Sequence, residues 1–450
     1  MTLTNTLNKP VLLQRLQWVT NPVEYMEDAV ERYPDIFAAD IIPSDDKIVF
    51  VNQPQAIQEI LKNDRKKFIA SGKANKILQP LLGKSSLVML EGGPHKRRRQ
   101  LLIPPFHGAR MQAYGQTICD ITEKVFAKLS VDKPFIARSV TEEISMQVIL
   151  QTVFGLYEGE RYQQIKQLIA SMLDMFRSPL SSSFLFFEFL QQDLGAWSPW
   201  GKFVKLREKA DELLYAEIAE RRKNPQEKRV DILSLLMAAS YEDGSSMTDR
   251  ELRDELITLL FAGHETTATE IAWELYWIHQ TPGVKEKLLE ELNTIDDFSD
   301  LMSISRLPYL SAVCNETLRI TPVAIITFAR EVRESVEILG QTLKPGMMVF
   351  GCIYLLHQRE DLYPEPKKFK PERFLEKQFS PYEFMPFGGG SRRCIGDALA
   401  MFEMKLVLAT IMSRYQFELA DNKPEVLRRR GVTLAPGSGV KMKITQKLSA

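Results

Sequence analysis

The sequence predicts a mainly α-helical protein with a smaller β part, folded as a single domain over residues 1–450. From about residue 110 to 320, apolar residues recur three and four positions apart, the spacing that places them on one face of a helix. Strand-like runs cluster near residues 37–51 and 335–354. Because no fixed repeat or Pro-rich or Ser/Gly-rich linker divides the chain, we expect one domain, helical apart from a β-containing lobe at about residues 30–75 and 325–360.

The β part is predicted from turn residues that lie between apolar runs. Residues 37–51 place two such runs around the sequence PSDD at 43–46, which predicts a hairpin. Later, the runs VEILGQTL and MMVFGCIY lie on either side of KPG at 344–346, a sequence typical of a type II turn. We therefore expect strands early and late in the chain.

The clearest helix begins after Thr248, which forms a capping box with Glu251, and continues to about Gln280. Thirty-two residues at 1.5 Å each make roughly 48 Å, long enough to cross the whole molecule. Gly263 lies near its middle, where glycine costs about 1 kcal/mol relative to alanine. Either close packing or a ligand against the backbone is expected to require it. A further helix is predicted over residues 397–413.

Composition and charge exclude several classes of protein. Hydrophobic residues make up 44% of the chain and charged residues 26%, which is typical of globular proteins and not of disordered ones. Lys plus Arg and Asp plus Glu both total 58, so no global charge favours nucleic acid. The four cysteines lack the spacing of a disulfide framework, and Lys9 and Arg15 interrupt the apolar start. We expect a soluble, cytoplasmic, monomeric protein with no membrane span.

One cysteine has the surroundings of a reactive thiol. Arg392 and Arg393 precede Cys394, and the predicted helix start at Asp397 follows it, so nearby charge and the helix dipole both favour the thiolate. Glycines on either side leave room for the backbone to lie against a flat ligand. A thiolate presented in this way suits an axial iron ligand, and the alternative is an inert cysteine in a glycine turn.

The segment around this cysteine resembles the signature F-x-x-G-x-R-x-C-x-G of the cytochrome P450 family, the haem-thiolate monooxygenases. The matching residues are Phe387, Gly390, Arg392, Cys394 and Gly396. The resemblance implies the cytochrome P450 fold, in which a long central helix crosses a haem b that is held against the cysteine-bearing loop. It also implies that Phe387 contacts the haem and that Cys394 is the iron ligand.

A second segment, in the long helix, resembles the family's oxygen-binding sequence A-G-x-[DE]-T. Thr266 lies four residues after Ala262, so its hydroxyl can donate to that carbonyl and open a local kink. The resemblance implies that Ala262 and Gly263 contact the haem and that Glu265 and Thr266 relay protons as catalytic residues. Taken alone, a solvated glutamate and an ordinary helix threonine would explain the pattern equally well.

Two further groups of residues match the family. Glu316 and Arg319 resemble its E-x-x-R ion pair, which Arg373 joins, and we assign all three to folding and haem retention. The haem propionates need cationic partners, and the resemblance implies four of them, namely His95, Arg99, Arg330 and Arg392. His95 and Arg99 lie four residues apart, on one face of a helix.

The substrate side of the protein is predicted to be apolar. Residues 172–200 concentrate Met, Phe and Trp in the region that forms a lid over the substrate channel in the family, although a core helix pair is an equal alternative. Further candidates for the wall of the substrate channel are Val323, Ala324 and Ile325, which follow Pro322, and Val432, Thr433 and Leu434, in the last loop. The whole pattern is similar to bacterial, especially cyanobacterial, enzymes that act on long-chain fatty acids or terpenes.

These observations predict a monooxygenase that uses O2 and two electrons to hydroxylate an unactivated C–H bond of a lipophilic substrate. Because the chain has no dinucleotide or flavin fingerprint, NAD(P)H-derived electrons are expected through a ferredoxin or flavodoxin with its reductase. The expected docking patch is basic and consists of Lys96, Arg97, Arg98 and Arg393. The alternatives are a haem-thiolate isomerase or peroxygenase that needs no electron input, and a haem sensor without turnover.

Overall fold

The computed structural model describes residues 5–7, 9–41, 48–108, 110–175, 191–195, 197–224, 229–421 and 423–448. Most of these residues are helical. The helices are α1 (Val11–Thr20), α2 (Pro22–Arg32), α3 (Pro54–Lys62), α4 (Gln79–Leu82), α5 (Gly92–Leu102), α6 (Arg110–Phe126), α7 (Ala137–Phe154), α8 (Glu160–Asp174), α9 (Pro199–Lys223), α10 (Ile232–Ala238), α11 (Asp249–Gln280), α12 (Val284–Leu292), α13 (Leu301–Ile304), α14 (Pro308–Ile320), α15 (Ile353–His357), α16 (Arg373–Glu376) and α17 (Asp397–Arg414).

The strands are short and form several small sheets. They are β1 (Ile36–Ala39), β2 (Ile48–Val51), β3 (Phe68–Ile69), β4 (Pro134–Ile136), β5 (Arg330–Val332), β6 (Val336–Ile338), β7 (Gln341–Leu343), β8 (Met348–Gly351), β9 (Tyr415–Leu419), β10 (Leu427–Arg430), β11 (Thr433–Pro436) and β12 (Lys441–Lys447). The largest sheet has the order β1-β2-β8-β5-β3, and a second has the order β4-β12-β9. The prediction of a mainly α fold with a smaller β part is confirmed.

The predicted early hairpin is present, and the late strands differ from the expectation. β1 and β2 pair antiparallel with Ile36 opposite Val51, whereas the turn residues 43–46 lie outside the described part of the chain. The run VEILGQTL is not one strand but a hairpin of β6 and β7, which turns at Leu339 and Gly340, both with positive φ. Gly340 adopts this conformation without steric cost, so the chain can reverse there. The second run contributes β8, which pairs with β2 and β5.

The long helix is α11, and it begins and ends as predicted. The Thr248 backbone N–H donates to the Glu251 carboxylate over 2.9 Å, and the Glu251 N–H donates to the Thr248 hydroxyl over 3.3 Å. These two bonds satisfy N–H groups that have no partner within the helix. α11 runs through the main helical core, where it packs against α7, α14 and α17. Within the described residues, no helix is long and apolar enough to span a membrane.

Candidate functional site

The cysteine loop presents one thiol that differs from the others. Cys394 is exposed, whereas Cys119, Cys314 and Cys352 are buried. The Cys394 backbone N–H donates to the Phe387 carbonyl over 2.9 Å, which closes the loop. Gly390 has a φ of 64°, and a Cβ there would lie 2.8 Å from an Asp64 carboxylate oxygen. Glycine therefore fits this position for both conformational and steric reasons.

The electrostatics of the thiol differ from the expectation. Although Cys394 reaches solvent, many protein atoms surround the thiol, and the resulting desolvation raises its pKa to about 11, while the Gly396 N–H, Arg99 and Arg393 favour the thiolate. Arg392 does not contribute, because its guanidinium donates to the Leu87 and Ala70 carbonyls over 2.8 and 2.9 Å. The prediction that nearby charge favours the thiolate thus holds for Arg393 and is corrected for Arg392, and the thiol stays protonated because burial outweighs the favourable charges. Metal binding is what would displace the proton.

A cluster of arginines forms around His95 of α5, beside the cysteine loop. His95 is buried, and its Nε2 atom has no hydrogen-bond partner among the described residues. Burial, together with Arg392, Arg99 and two other arginines, lowers the His95 pKa to about 3, so this histidine is neutral while the arginines around it are charged. Like charges held together in this way destabilise one another unless an anion lies between them. The cluster therefore fits a group that carries carboxylates.

The predicted members of this cluster come from three parts of the chain, namely α5, β5 and the cysteine loop. Arg330, in β5, lies 2.7 Å from Asp64 and donates to the Gly389 carbonyl over 2.9 Å. Burial lowers the pKa of Arg330 and lowers that of Arg392 to about 10. The buried Nε atom of Arg392 has no hydrogen-bond partner in the described part of the chain. The predicted set is thus brought together, with unsatisfied donors that suit the two propionates of a haem.

The centre of α11 shows the predicted threonine bond. The Thr266 hydroxyl donates to the Ala262 carbonyl over 2.6 Å, and Ala262 is exposed although it lies midway along a helix of the core. Gly263 packs closely against α7, because a Cβ there would lie 2.6 Å from the Ile149 Cδ1 atom, at the far end of that side chain. This contact is consistent with the packing reason for the glycine, and a ligand against the backbone stays a prediction.

Glu265 belongs to an ion-pair cluster that the sequence did not predict. Its carboxylate accepts from Arg430 over 2.8 Å and from Arg138 over 3.0 Å, and both arginines also contact Glu142. Burial raises the Glu265 pKa, and the two arginines lower it. The arginines come from α7 and β10, so no local spacing in the sequence could have indicated them.

The E-x-x-R pair is formed and fully buried. Arg319 Nε lies 2.7 Å from the Glu316 carboxylate, and Arg373 Nε lies 3.2 Å from it. Arg319 also donates to the His357 carbonyl over 2.8 Å. The pair therefore ties α14 to α15 and α16 behind the cysteine loop.

The wall segment, residues 323–328 before Arg330, alternates in burial. Val323 and Ile325 are buried, and Ile325 packs in the core formed with α1 and α2. Because side chains in an extended segment alternate between two faces, the more accessible face carries Ala324, Ile326 and Phe328, of which Ile326 is partly buried against the same core. Of the three predicted contacts in this segment, Ala324 is therefore the accessible one.

The substrate candidates in the last loop also differ in burial. Val432 is exposed and Leu434 is buried, whereas Thr433 is partly buried and donates its hydroxyl to the Arg430 carbonyl over 2.8 Å. Of the lid expected at 172–200, residues 176–190 and 196 lie outside the described residues. Met172 is buried in the main core.

The predicted docking patch loses one member. Lys96 and Arg97 are exposed, but Arg98 is buried and lies 2.7 Å from the Glu255 carboxylate. The ion pair with Glu255 explains the difference, because a buried arginine needs a charged partner. Arg393 is exposed.

Comparisons with known proteins agree with this geometry. The profile of the cytochrome P450 family matches residues 5–442. Cytochrome P450 135B1 of Mycobacterium tuberculosis is 34% identical over 441 residues, which cover 97% of this chain and 91% of that protein. Cytochrome P450 138 of the same species is 31% identical over 433 residues, which cover 96% and 93%.

Two solved structures are similar in fold. Retinoic acid bound cyanobacterial CYP120A1 has a TM-score of 0.83 at 23% identity and covers 97% of this chain and 96% of its own. The haem domain of cytochrome P450DA has a TM-score of 0.85 at 19% identity, with coverages of 100% and 99%.

Proposed function

The chain belongs to the cytochrome P450 family of monooxygenases, and we propose that it hydroxylates an unactivated C–H bond of a long-chain fatty acid or terpene. The observation that carries the proposal is the pairing of one exposed cysteine with an arginine cluster in which His95 Nε2 and Arg392 Nε have no hydrogen-bond partner among the described residues. Cys394 would bind the iron of haem b, while His95, Arg99, Arg330 and Arg392 would hold its propionates. When bound, the haem supplies the chemistry of oxygen activation.

The cysteine assignment is tested by the haem spectrum. Reduced protein with carbon monoxide should absorb at the long-wavelength Soret position of thiolate-ligated haem, and Cys394→Ala should lose that band. Cys119→Ala and Cys352→Ala are matched controls, because both thiols are buried away from the loop. A Cys394→Ala protein that keeps the band would refute the assignment.

Thr266 and Glu265 are proposed to supply protons during oxygen activation. The Thr266 hydroxyl is anchored on the Ala262 carbonyl. Both arginines of Glu265 bind its Oε1 atom, so its Oε2 atom would be the one that carries and passes on a proton. Thr266→Ala should therefore raise the peroxide released per electron consumed, with substrate affinity unchanged. Unchanged coupling of electrons to product would show that another route delivers the protons.

The substrate class is supported by the accessible face of the wall segment. Ala324, Ile326 and Phe328 are all apolar, so they would contact hydrocarbon in preference to a polar guest. A protein of the same fold, the cyanobacterial CYP120A1, binds retinoic acid, which is itself lipophilic. Titration of a fatty-acid and terpene panel, followed by the Soret shift, should give saturable binding that Phe328→Ala weakens and Leu375→Ala, at an exposed site on α16, does not.

The electron donor is proposed to be a ferredoxin or flavodoxin, served by an NAD(P)H-dependent reductase. Lys96, Arg97 and Arg393 would steer its acidic surface toward the cysteine loop. Charge reversal at Lys96 and Arg97 should slow reduction by ferredoxin and flatten its salt dependence, while dithionite reduction stays unchanged. Equal ferredoxin rates at low salt would refute this docking site.

One measurement separates the proposal from its alternatives. Product from a monooxygenase requires both a reductant and O2. An isomerase forms product with neither, and a peroxygenase forms product when H2O2 is added in their place. A haem sensor forms none under any condition. Omitting the reductant and then the O2, each with and without added H2O2, distinguishes these cases.

A further inference from the structure

A charged cavity of about 250 Å³ lies between α4, α9 and the first turns of α11, among residues that none of the haem assignments uses. Most of its charged lining is basic, and the two acidic side chains are aspartates. The charged residues are Lys84, Arg207, Arg250, Arg253, Asp211 and Asp254. The balance of these charges determines what the cavity can hold.

Both aspartates are already engaged by one arginine. Arg253 Nε donates to Asp211 over 2.7 Å, and Arg253 Nη1 donates to Asp254 over 2.7 Å. The other Asp254 oxygen accepts the Ser85 backbone N–H over 2.8 Å. No hydrogen bond or ion pair in the described structure joins Lys84, Arg207 or Arg250 to either carboxylate, although Arg207 is close enough to lower the pKa of Asp211. With four basic side chains against two aspartates, the cavity wall therefore keeps an excess of positive charge.

Arg207 shows that the cavity is prepared to accept a hydrogen-bonding partner. Its Nη1 atom donates to the Pro80 carbonyl over 2.8 Å, which fixes the guanidinium against the segment that contains α4. Its Nε atom is buried and has no hydrogen-bond partner among the described residues. A buried donor without an acceptor is costly, so an acceptor from outside the chain would stabilise the site.

We propose that this cavity binds a small oxyanion, a carboxylate or a phosphate, at a site separate from the haem. Lys84, Arg207 and Arg250 would neutralise its charge, and Arg207 Nε would donate to one of its oxygens. The volume is below the roughly 300–1,000 Å³ of sites for drug-sized ligands, which favours a small anion. A lipophilic substrate does not fit this lining, because its hydrocarbon would bury the charges.

The cavity is linked to the cation cluster by one chain segment, residues 85–90. After Ser85, the Ser86 hydroxyl lies 2.7 Å from that of Thr258, and the Leu87 N–H donates to Glu255 over 2.8 Å. The Leu87 carbonyl in turn accepts from Arg392. An anion that holds Arg207 against Pro80 should therefore also order the segment on which Arg392 is anchored.

Binding is tested by calorimetry on the haem-loaded protein at constant ionic strength in chloride. Inorganic phosphate and succinate are titrated separately, and saturable one-to-one binding by either one identifies the source of the oxyanion. Lys84→Gln and Arg250→Gln change exposed side chains without ion pairs in the described structure, so both should fold. Together they should weaken binding roughly tenfold or more, and Arg207→Gln should do so alone.

Lys209→Gln is the matched control, because Lys209 is exposed on α9, the helix that carries Arg207, but does not line the cavity. Equal weakening by this control, or no saturable heat with either anion, would overturn the site. Amide exchange of residues 79–90 should slow when the anion is bound. Saturable binding that leaves this exchange unchanged would overturn the link to Arg392.

Discussion

Gly263→Ala tests whether helix packing or a ligand requires glycine at the centre of α11. The new Cβ would lie 2.6 Å from Ile149 Cδ1 and 3.3 Å from its Cγ1, and Ile149 is buried in the main core. Alanine gains about 1 kcal/mol over glycine in a helix. Overpacking of a buried site costs about 1–3 kcal/mol, so the single variant should be less stable by up to about 2 kcal/mol.

The second variant, Ile149→Val, removes Cδ1, the atom in closest conflict with the new methyl group. Alone it should cost about 0.5–1.5 kcal/mol. With valine at 149 the new methyl group no longer meets Cδ1, so the higher helix propensity of alanine should no longer be offset by overpacking. Gly263→Ala should therefore be neutral or stabilising in that background. Urea unfolding of the four haem-loaded proteins gives the coupling energy, expected at about 1–3 kcal/mol. Additive effects, within about 0.5 kcal/mol, would show that something other than Ile149 excludes a side chain there.

Three further predictions follow from buried titratable groups. Glu316→Gln should lower the free energy of unfolding by about 3–5 kcal/mol because it leaves Arg319 buried without a charged partner, and Glu316→Leu with Arg319→Leu should cost less than that single change. Burial raises the Glu274 pKa to about 8, so the folded protein keeps a proton there that the unfolded chain releases. Stability should therefore fall as pH rises toward 8, and urea unfolding of Glu274→Gln should show a shallower fall; an unchanged slope would contradict the shift. His95→Leu should speed haem transfer to an acceptor protein, and an unchanged rate would remove His95 from the propionate site.

Features set by neighbouring residues were predictable from the sequence. The capping box places the start of α11, and the i, i+3 spacing of Glu316 and Arg319 places both groups on one helix face. The β1–β2 hairpin follows from two apolar runs that flank turn residues. In each case the partners lie within one helix or one hairpin, so the local pattern contains the whole interaction.

Features set by distant segments were not predictable in the same way. Arg98 was expected on the surface because it lies in a basic run, but Glu255, which pairs with it, is 157 residues away. Glu265 was assigned a proton relay without its two arginines, one of which is 165 residues away. Burial and ion pairing across such separations depend on how the helices pack, and one unaligned sequence does not contain that information.

Arg392 shows why a charge near a cysteine in the sequence does not establish how the thiol is activated. Its position two residues before Cys394 suggested a charge acting on sulfur, yet its guanidinium is held by the backbone carbonyls of residues 70, 87, 88 and 90. In that orientation its charge acts on His95 and Arg330 and not on the thiol. Arg392 is therefore placed where it would hold the anionic edge of the proposed haem, and the proton of a thiol whose pKa is about 11 would be displaced when a metal binds.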